Sequence, residues 1–342
     1  MSKAEVHVPR SEPRPELSIL IVSYNTRAMT LACLDSIAAE TRATPHEIIV
    51  VDNLSSDGSA EAVASHPSRP RLIALQDNIG FGRANNLAAT EAQGRLVLLL
   101  NPDTVVLDRA IDRLVAFSQE RPEAMIWGGR TVFADGRLNP ASAWGRMTPW
   151  RLFCRASGLA SLAKGSSVCN GEVMGGWSRD SEREVDIVSG CFLLTTRAFW
   201  QRLGGFDPVY FMYGEEADLC LRARHLAARP AVTPEATIIH YGGASEATRE
   251  GKMVKLLAAK ATLIDRHFPR ATRGLGLALH AAWPLSRWLA LSALAQIGGG
   301  AEAHTKAGVW RAIWQRRGEW ARGWRQSLPQ QSAGMTATTP AT

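Results

Sequence analysis

The chain has little of what marks secreted or disulfide-bonded proteins. Its five cysteines are odd in number and scattered, and no two of them form a Cys-x-x-Cys pair. This argues against a disulfide framework and a structural zinc site, and it favours a reducing compartment. Residues 1–16 are polar and contain proline, but they lack the apolar segment of a signal peptide. We therefore expect a cytoplasmic protein.

Acidic residues are scarce at the C-terminal end of the chain. From residue 249 onwards, 14 Lys or Arg stand against 4 Asp or Glu, a net charge of +10, whereas residues 1–248 carry −3 of the total of +7. A mildly acidic body with a basic end is not typical of proteins that bind nucleic acid through one basic face, so we expect no nucleic-acid partner. It suits an anionic membrane surface, and predicts a peripheral protein on the inner face of the cell membrane.

No long apolar run is free of interruptions. The best candidate, residues 275–297, is broken by His280, Pro284 and Arg287. A segment of this kind predicts a helix that lies on a membrane or re-enters it, rather than one that spans it.

Tryptophan is concentrated in the same region, with six of 11 after residue 280. Trp310, Ile313 and Trp314 recur at helical spacing among arginines, a combination that favours the interface of an anionic bilayer. The alternative is a helical pair packed on the rest of the protein, or a homodimer contact.

The first part of the chain alternates short apolar runs with helical patterns. With 342 residues, 46% of them hydrophobic, the chain can bury one large domain and an appendage. Apolar runs, each followed by Asn or Asp, lie at 17–22, 47–51, 71–75 and 96–100; helical patterns lie at 29–40, 60–65 and 83–92. This alternation predicts an α/β fold with a mostly parallel sheet flanked by helices and a polar rim along one edge.

Beyond residue 125 the pattern is looser. Residues 134–180 are rich in Gly, Ser, Pro and Trp and predict a long excursion over the active face. A strand is predicted over 185–195, a helix over 197–203 that ends at Gly204, and a helix over 215–228.

Asp103 and His240 are candidate metal ligands. Asp103 follows the apolar run 96–100 and the turn Asn101-Pro102, so it lies at the carboxyl edge of the sheet, where ligands bind in open α/β sheets. His240 ends another apolar run. Mg²⁺ or Mn²⁺ on a diphosphate needs few protein ligands, because it keeps waters and takes substrate oxygens. The alternatives are a helix-capping aspartate and a packed or surface histidine.

The acidic cluster Glu215-Glu216-Ala217-Asp218 directly follows the aromatic segment 206–213. A carboxylate beside apolar groups is desolvated, and its pKa rises toward the range of a general base. The alternative is simple complementarity between acids and the dipole of a helix N-terminus.

The segment 77–86 contains Gly80 and Gly82 before a helical pattern. Such an arrangement suits an anion at the helix N-terminus, with Arg83 as a further phosphate contact. Asp52, at the end of the second apolar run, can accept hydrogen bonds from a base or ribose.

Together these segments resemble glycosyltransferase family 2, inverting enzymes of the GT-A fold, and most of all its rhamnosyltransferase-like branch. The matching stretches are SILIVSYNT, IIVVDNLSSDGS, DNIGFGRANN, LLLNPDTVV, GGFDPVYFMYGEEADLCLRA and IIHYGGAS, from about residue 17 to 245. The resemblance implies a catalytic domain (17–248) with a nucleotide-binding part (17–125) and an acceptor-binding part (126–248). The composition of the flanking segments predicts a flexible lead (1–16), a basic Trp-rich helical extension (249–328) that associates with membranes, and a disordered tail (329–342).

The resemblance also implies roles for individual residues. Nucleotide-sugar contacts are expected from Ser23, Asn25, Asp52, Asp77, Asn78, Arg83 and Asn101. Glu216 stands where the family has its catalytic base, Asp103 and His240 where it binds a divalent metal, Mg²⁺ or Mn²⁺, and Gly190, Glu215 and Asp218 are expected on the acceptor side. The first acid of the family's Asp-x-Asp motif is Asn101 here.

The implied reaction moves a sugar, a deoxyhexose such as rhamnose, from a dTDP- or UDP-linked donor to a hydroxyl of a polyprenyl-diphosphate-linked or envelope glycan acceptor. Two other readings are a nucleotidyltransferase and an inactive protein that only binds nucleotide sugars. A nucleotidyltransferase would show a Gly-rich basic loop after the first strand, and SYNTRAMT contains none.

Overall fold

The computed structural model describes residues 14–242 and 249–324. Most of the predicted lead and all of the predicted tail at 329–342 lie outside these residues, as do positions 243–245 of the family match. The strands are β1 (Leu17–Ser23), β2 (His46–Asp52), β3 (Arg71–Ala74), β4 (Leu96–Leu100), β5 (Thr104–Val106), β6 (Ile126–Val132), β7 (Ala143–Trp144), β8 (Arg183–Glu184), β9 (Ile187–Val188), β10 (Phe192–Thr196) and β11 (Ala231–His240).

Helices cover the sheet and form the whole C-terminal part of the described chain. They are α1 (Arg27–Glu40), α2 (Ser59–Ala64), α3 (Phe81–Glu91), α4 (Ala110–Glu120), α5 (Pro149–Ser157), α6 (Leu159–Leu162), α7 (Arg197–Leu203), α8 (Glu215–His225), α9 (Arg249–His267), α10 (Arg270–Gln296), α11 (Gly300–Gln315) and α12 (Arg317–Trp320).

The central sheet runs in the order β3-β2-β1-β4-β10-β6-β11-β5, with β8 also paired to β11. The half β3-β2-β1-β4 is parallel, as are β6 and β11, whereas β10 lies antiparallel between β4 and β6. The predicted α/β class is confirmed. The parallel register places Ser23 beside Asp52, so β1 and β2 end level at the carboxyl edge.

The apolar strands are buried on both faces, which explains their continuous rather than alternating hydrophobicity. Leu20 and Val22 of β1 belong to one core cluster, while Ile19 and Ile21 belong to the cluster on the other face. Helices cover both faces of the sheet. Polar side chains at every second position of such a strand would therefore be buried away from water.

Two predicted segments differ from the structure. The strand predicted over 185–195 is interrupted, because β9 pairs with β7 and β10 enters the main sheet, leaving Ser189-Gly190-Cys191 as the bend between them. The excursion 134–180 contains α5 and α6, and α5 begins at a Thr148 side-chain cap with Pro149 in its first turn.

The C-terminal extension packs on the catalytic part, against the prediction that its tryptophans face a bilayer. Ile313 and Trp320 are buried in the same core cluster as Val22, and Trp310 and Trp314 are partly buried against it. The helical spacing of Trp310, Ile313 and Trp314 therefore reflects contact with the rest of the same chain, which was the alternative to membrane contact. Residues 275–296 belong to one helix, α10, with Pro284 on its buried side, and Ile297 is the residue that follows it. Within the described residues, no helix is both long and apolar enough to cross a membrane.

Candidate active site

Asp103, Asn101 and His240 meet at the carboxyl edge of the sheet. β4 ends at Leu100, and antiparallel pairing of β5 with β11 places His240 opposite Thr104. The Nε2 atom of His240 lies 3.5 Å from Oδ1 of Asp103 and 3.5 Å from Nδ2 of Asn101. The backbone N–H of Gly242 donates to Oδ2 of Asp103 at 2.9 Å. Residues far apart in the chain thus form one polar cluster.

The cluster is buried, and its charges depend on each other. Burial opposes ionisation of Asp103, but His240 and the backbone N–H groups around the carboxylate hold its pKa below the usual value. Burial likewise disfavours a charged imidazole, yet Cys191 and Asp103 beside the ring raise the pKa of His240 to about 10. An imidazole of this kind binds a diphosphate as a cation, and it binds a metal only after losing its proton.

The donor set fits a metal that is shared with a substrate. The Oδ1 atom of Asn101 and the Nδ1 atom of His240 are buried without a hydrogen-bond partner in the described part of the chain. Nowhere in that part do three or more His, Cys, Asp or Glu side chains come together as a complete metal site. One carboxylate and one amide oxygen suit Mg²⁺ or Mn²⁺ that takes its remaining ligands from phosphate and water, whereas His240 in its cationic form suits the phosphate rather than the metal, contrary to the prediction that it is a metal ligand.

The bend between β9 and β10 connects this cluster to Glu216. Asn101 donates its backbone N–H to the carbonyl of Cys191 at 3.1 Å. One residue earlier, a side chain on Gly190 would begin 3.5 Å from the Cβ of Glu216 and 3.7 Å from the ring of Phe81. Gly190 therefore leaves space beside Glu216, in the bend whose next residue, Cys191, is bonded to Asn101 of the polar cluster.

Glu215 and Glu216 open helix α8 after Gly214, whose φ of +88° allows the sharp entry. Burial raises the pKa of Glu216, and burial together with the neighbouring Glu216 raises the pKa of Glu215 well above its usual range. Glu215 is the more buried, at 3% exposure, and its Oε2 has no partner within the described structure. We therefore place the proton of this pair on Glu215, which leaves Glu216 as the group that can accept one.

The ends of β1 and β2 form the expected nucleotide side. Asp52 is buried; its Oδ1 accepts from the Ser55 backbone N–H at 2.9 Å, and its Oδ2 is buried without a partner in the described residues. The exposed Asn25 has φ of +52°, and its Oδ1 accepts from the Ser56 backbone N–H at 2.7 Å. Ser23 differs from this pair, because its hydroxyl lies in a buried cluster with those of Thr26 and Thr30.

The segment 77–86 is used mainly to hold other loops. Asn78 Oδ1 accepts from Asn53 Nδ2 at 3.0 Å, and the Arg83 guanidinium donates to the Pro208 carbonyl at 3.3 Å. Asn86 binds both the N–H and the carbonyl of Phe206. Asp77 is exposed at the surface. The glycines allow close packing here, since a side chain on Gly80 would lie 2.4 Å from the carbonyl oxygen of Phe211.

Asp218 does not face the acceptor side as predicted. It is 1% exposed, and its two oxygens are paired with Arg222 Nε at 2.6 Å and His267 Nε2 at 2.8 Å. These contacts join α8 to the end of α9. The third acid of the cluster is thus part of the packing of the C-terminal extension.

Two positioning residues carry no signal in the sequence. Asn139 donates its Nδ2 to the backbone carbonyl of His240 at 2.9 Å, and its own carbonyl accepts from Thr131. Arg179 is 4% exposed and donates to the carbonyls of five residues between 140 and 177, which ties the loop after α6 to the start of β7. Isolated Asn and Arg residues in an irregular segment cannot be singled out without the fold.

Residues 18–184 match the model of the family described as Glycosyl transferase family 2. This segment, slightly less than half of the chain, belongs to glycosyltransferase family 2. Its GT-A architecture is shared with a solved mannosyltransferase from Pyrobaculum calidifontis in complex with GDP-Man and Mn²⁺, with a TM-score of 0.54, 17% identity and coverage of 94% of this chain and 89% of that one.

Relatives by sequence come from envelope polysaccharide synthesis. The O-antigen biosynthesis protein RfbC of Myxococcus xanthus is 29% identical over 240 residues, which is 68% of this chain but only 18% of RfbC. The N-acetylglucosaminyl-diphospho-decaprenol L-rhamnosyltransferase of Mycobacterium tuberculosis is 26% identical over 251 residues, which is 66% of this chain and 76% of that protein.

Proposed function

We propose that this glycosyltransferase moves a deoxyhexose such as rhamnose from a nucleotide-diphosphate donor to a hydroxyl of a lipid-linked glycan acceptor, with inversion at the anomeric carbon. What supports the proposal is the bend at Gly190-Cys191, which packs beside Glu216 on one side and is bonded to Asn101 of the Asp103–His240 cluster on the other. A base on one side of a cleft and a diphosphate site on the other are what a single displacement requires.

In this reaction Glu216 accepts the proton of the acceptor hydroxyl. The acceptor oxygen forms a bond to the anomeric carbon on the face opposite the leaving group, and the bond from that carbon to the diphosphate oxygen breaks, its electron pair leaving with the nucleotide diphosphate. The transition state resembles an oxocarbenium ion, as in glycoside hydrolysis. Because one base acts and no enzyme nucleophile takes part, the configuration inverts. The raised pKa of Glu216 suits a general base.

The donor lies along the carboxyl edge of the parallel half of the sheet. Asp52, with one carboxylate oxygen unpartnered, and the exposed Asn25 bind the nucleoside, while Asn101, Asp103 and His240 receive the diphosphate. Asp103 and Asn101 would hold a divalent metal, which would supply positive charge against the departing diphosphate.

The donor and acceptor are inferred from the relatives. The mycobacterial relative is named as an L-rhamnosyltransferase acting on a polyprenyl-diphosphate sugar, and a further relative in Serratia proteamaculans, 30% identical over 149 residues, as an undecaprenyl-phosphate sugar transferase. These names support a deoxyhexose as the transferred sugar and a polyprenyl-linked acceptor; that the donor is dTDP- or UDP-linked is part of the proposal. Such an acceptor would bring the enzyme to the inner face of the cell membrane.

A donor screen tests the proposal. We expect dTDP- or UDP-sugars to raise the melting temperature more than other nucleotide sugars, and Mn²⁺ to increase the shift. With the best donor and a polyprenyl-diphosphate acceptor, NMR of the product should show inverted anomeric configuration. Stabilisation by adenine nucleotides alone would refute the transferase assignment. Equal donor hydrolysis by wild type and Glu216→Gln would favour a protein that only binds nucleotide sugars.

A further inference from the structure

An apolar surface at one end of α10 has no protein partner within the described residues. It consists of Leu159 and Leu162 around α6 and of Leu289, Leu294 and Ile297 at the end of α10; we call it the apolar tip. Leu162 and Ile297 are 86% and 82% exposed, and the other three are between 37% and 55% exposed. Single exposed leucines are ordinary on protein surfaces, but five from two segments at one end are not.

Specific contacts bring the two segments together. The Ser286 hydroxyl donates to the carbonyl of Ala156 at 2.7 Å, and the Arg287 guanidinium donates to the Ser161 hydroxyl at 2.7 Å. In addition, Arg155 stacks over the ring of Trp283 at 4.2 Å. Ser161 lies between Leu159 and Leu162, and Arg287 two residues before Leu289, so exposed leucines of both segments lie next to this junction in the chain.

α10 leads toward the side of the molecule where α8 begins. Gly214, at the start of α8, packs on Ala259 of α9, while Asp218 reaches His267, so α9 runs away from this edge in the same direction as α8. α10 runs back, with Gly276 against Ile264 and His280 bonded to the carbonyl of Leu257. The 17 residues from His280 to Gln296, roughly 24 Å of helix, therefore continue from the level of Leu257 in the direction opposite to α9.

Charge around the tip has one dominant sign. Neither residues 136–171 nor residues 266–301 contain an Asp or Glu, while both contain several Lys or Arg. Lys164 and Arg287 lie within the segments that form the tip. The nearest acid along the chain, Glu302, is paired with Lys306 at 2.6 Å. Exposed aliphatic side chains flanked by cations match the headgroup region of an anionic bilayer.

We propose that the apolar tip docks on the surface of an anionic lipid bilayer. Leu162, Leu294 and Ile297 enter the boundary between headgroups and acyl chains, and Lys164 and Arg287 contact lipid phosphates. The docked orientation turns the carboxyl edge of the sheet toward the membrane. The value of this orientation rests on the proposed function, since it places Glu216 toward an acceptor held in the lipid plane, but the docking itself is measurable without any transfer.

Vesicle flotation tests the docking. The full chain is mixed with vesicles of phosphatidylglycerol and phosphatidylcholine, or of phosphatidylcholine alone. We expect wild type to float with the anionic vesicles only, and the triple variant Leu162→Ser, Leu294→Ser, Ile297→Ser to show at least about a tenfold lower partition coefficient. The matched control is Leu275→Ser, because Leu275 is 53% exposed at the opposite end of the same helix. It should float like wild type.

Three outcomes overturn the proposal: no flotation of wild type, equal flotation of the triple variant, or equal loss in the Leu275→Ser control. A fourth is a wild-type dimer that becomes monomeric in the triple variant, since a second copy would then cover the tip. The variants change exposed side chains, and unchanged thermal unfolding confirms that they fold. If the triple variant does not fold, the single change Leu162→Ser replaces it and should give an intermediate loss of flotation. Donor hydrolysis is measured in parallel, so that failure of docking and failure of the proposed chemistry give different results.

Discussion

The ring centroids of Trp324 and Phe211 lie 6.2 Å apart. Phe211 stands three residues before Gly214, and its carbonyl accepts the backbone N–H of Phe81 at 3.1 Å. Trp324 is itself fixed to α9, where its backbone N–H donates to the Thr262 hydroxyl at 2.8 Å. The end of the C-terminal extension thus supports the segment that leads into Glu215 and Glu216, and joins it to the glycine-containing start of α3.

Replacing Trp324 should therefore affect catalysis as well as stability. Trp324→Ala removes a side chain that is 7% exposed, and we expect a loss of about 3 kcal/mol in the free energy of unfolding. Because Phe211 loses its support, kcat should fall at temperatures where the variant is folded, with little change in KM for the donor. Urea unfolding and steady-state kinetics measure the two effects. Trp150→Ala, at a position 49% exposed, is the control and should change neither. An unchanged kcat in folded Trp324→Ala would show that the contact is only structural.

The two adjacent glutamates should respond differently to the same substitution. Burial and the neighbouring Glu216 raise the pKa of Glu215 well above its usual value and favour its neutral form, so the neutral amide of Glu215→Gln is a close substitute and should retain most activity. Glu216→Gln removes the base and should lower kcat by about 100-fold or more. In wild type kcat should fall with decreasing pH through an apparent pKa above the usual 4.5 of glutamate, because the raised pKa makes Glu216 protonate earlier. Equal losses in the two variants would contradict the assignment of Glu216 as the base.

Asn101 offers a gain-of-function test of the metal site. Asn101→Asp restores a second carboxylate beside Asp103, and added ligand charge tightens binding of a divalent cation. Calorimetric titration with Mn²⁺ in the presence of the preferred nucleoside diphosphate should show roughly tenfold tighter binding. Gln315→Glu, which adds the same charge to the exposed surface of α11, is the control. Chelation of divalent cations should reduce transfer by wild type. Unchanged Mn²⁺ affinity in Asn101→Asp would place the metal elsewhere.

The ion pairs of Asp218 should make stability depend on pH in acid. His267 and Arg222 outweigh burial and hold the pKa of Asp218 below its ordinary 3.8. A carboxylate with a lowered folded-state pKa contributes stability above its unfolded pKa, and this contribution is lost as the pH falls through the folded pKa. Asp218→Asn should cost about 3 kcal/mol at pH 7, and the difference from wild type should shrink below about pH 4. Urea unfolding at stepped pH measures it. Asp108→Asn, at a side chain 76% exposed, should show no such difference.

Much of the fold follows from local sequence. The run 96–100 is apolar at every position because both faces of β4 are covered, and such a run ending in Asn101-Pro102-Asp103 predicts a strand with its polar end at the sheet edge. The helix predicted over 197–203 has the observed bounds. Gly204 marks its end, because a glycine that follows a helix readily adopts the left-handed conformation that terminates it. The polar cluster of Asp103 and His240 was also anticipated, because strand ends meet at one edge.

What the sequence by itself determined is therefore the α/β class, the polar edge and the identity of the acids that lie there. Only the tertiary structure decided what each amphipathic or acidic group contacts. Trp310, Ile313 and Trp314 have the same helical spacing whether lipid or protein covers them, and the fold placed them on protein and left Leu162 and Ile297 exposed instead. Likewise, Asp218 and Glu216 lie two residues apart in the sequence. Only the packing of the elements shows that Asp218 is paired with His267 of α9, whereas Glu216 lies beside the bend at Gly190. The physical reason is that periodicity records which side of an element is apolar, whereas the partner of that side is set by contacts between residues far apart in the chain.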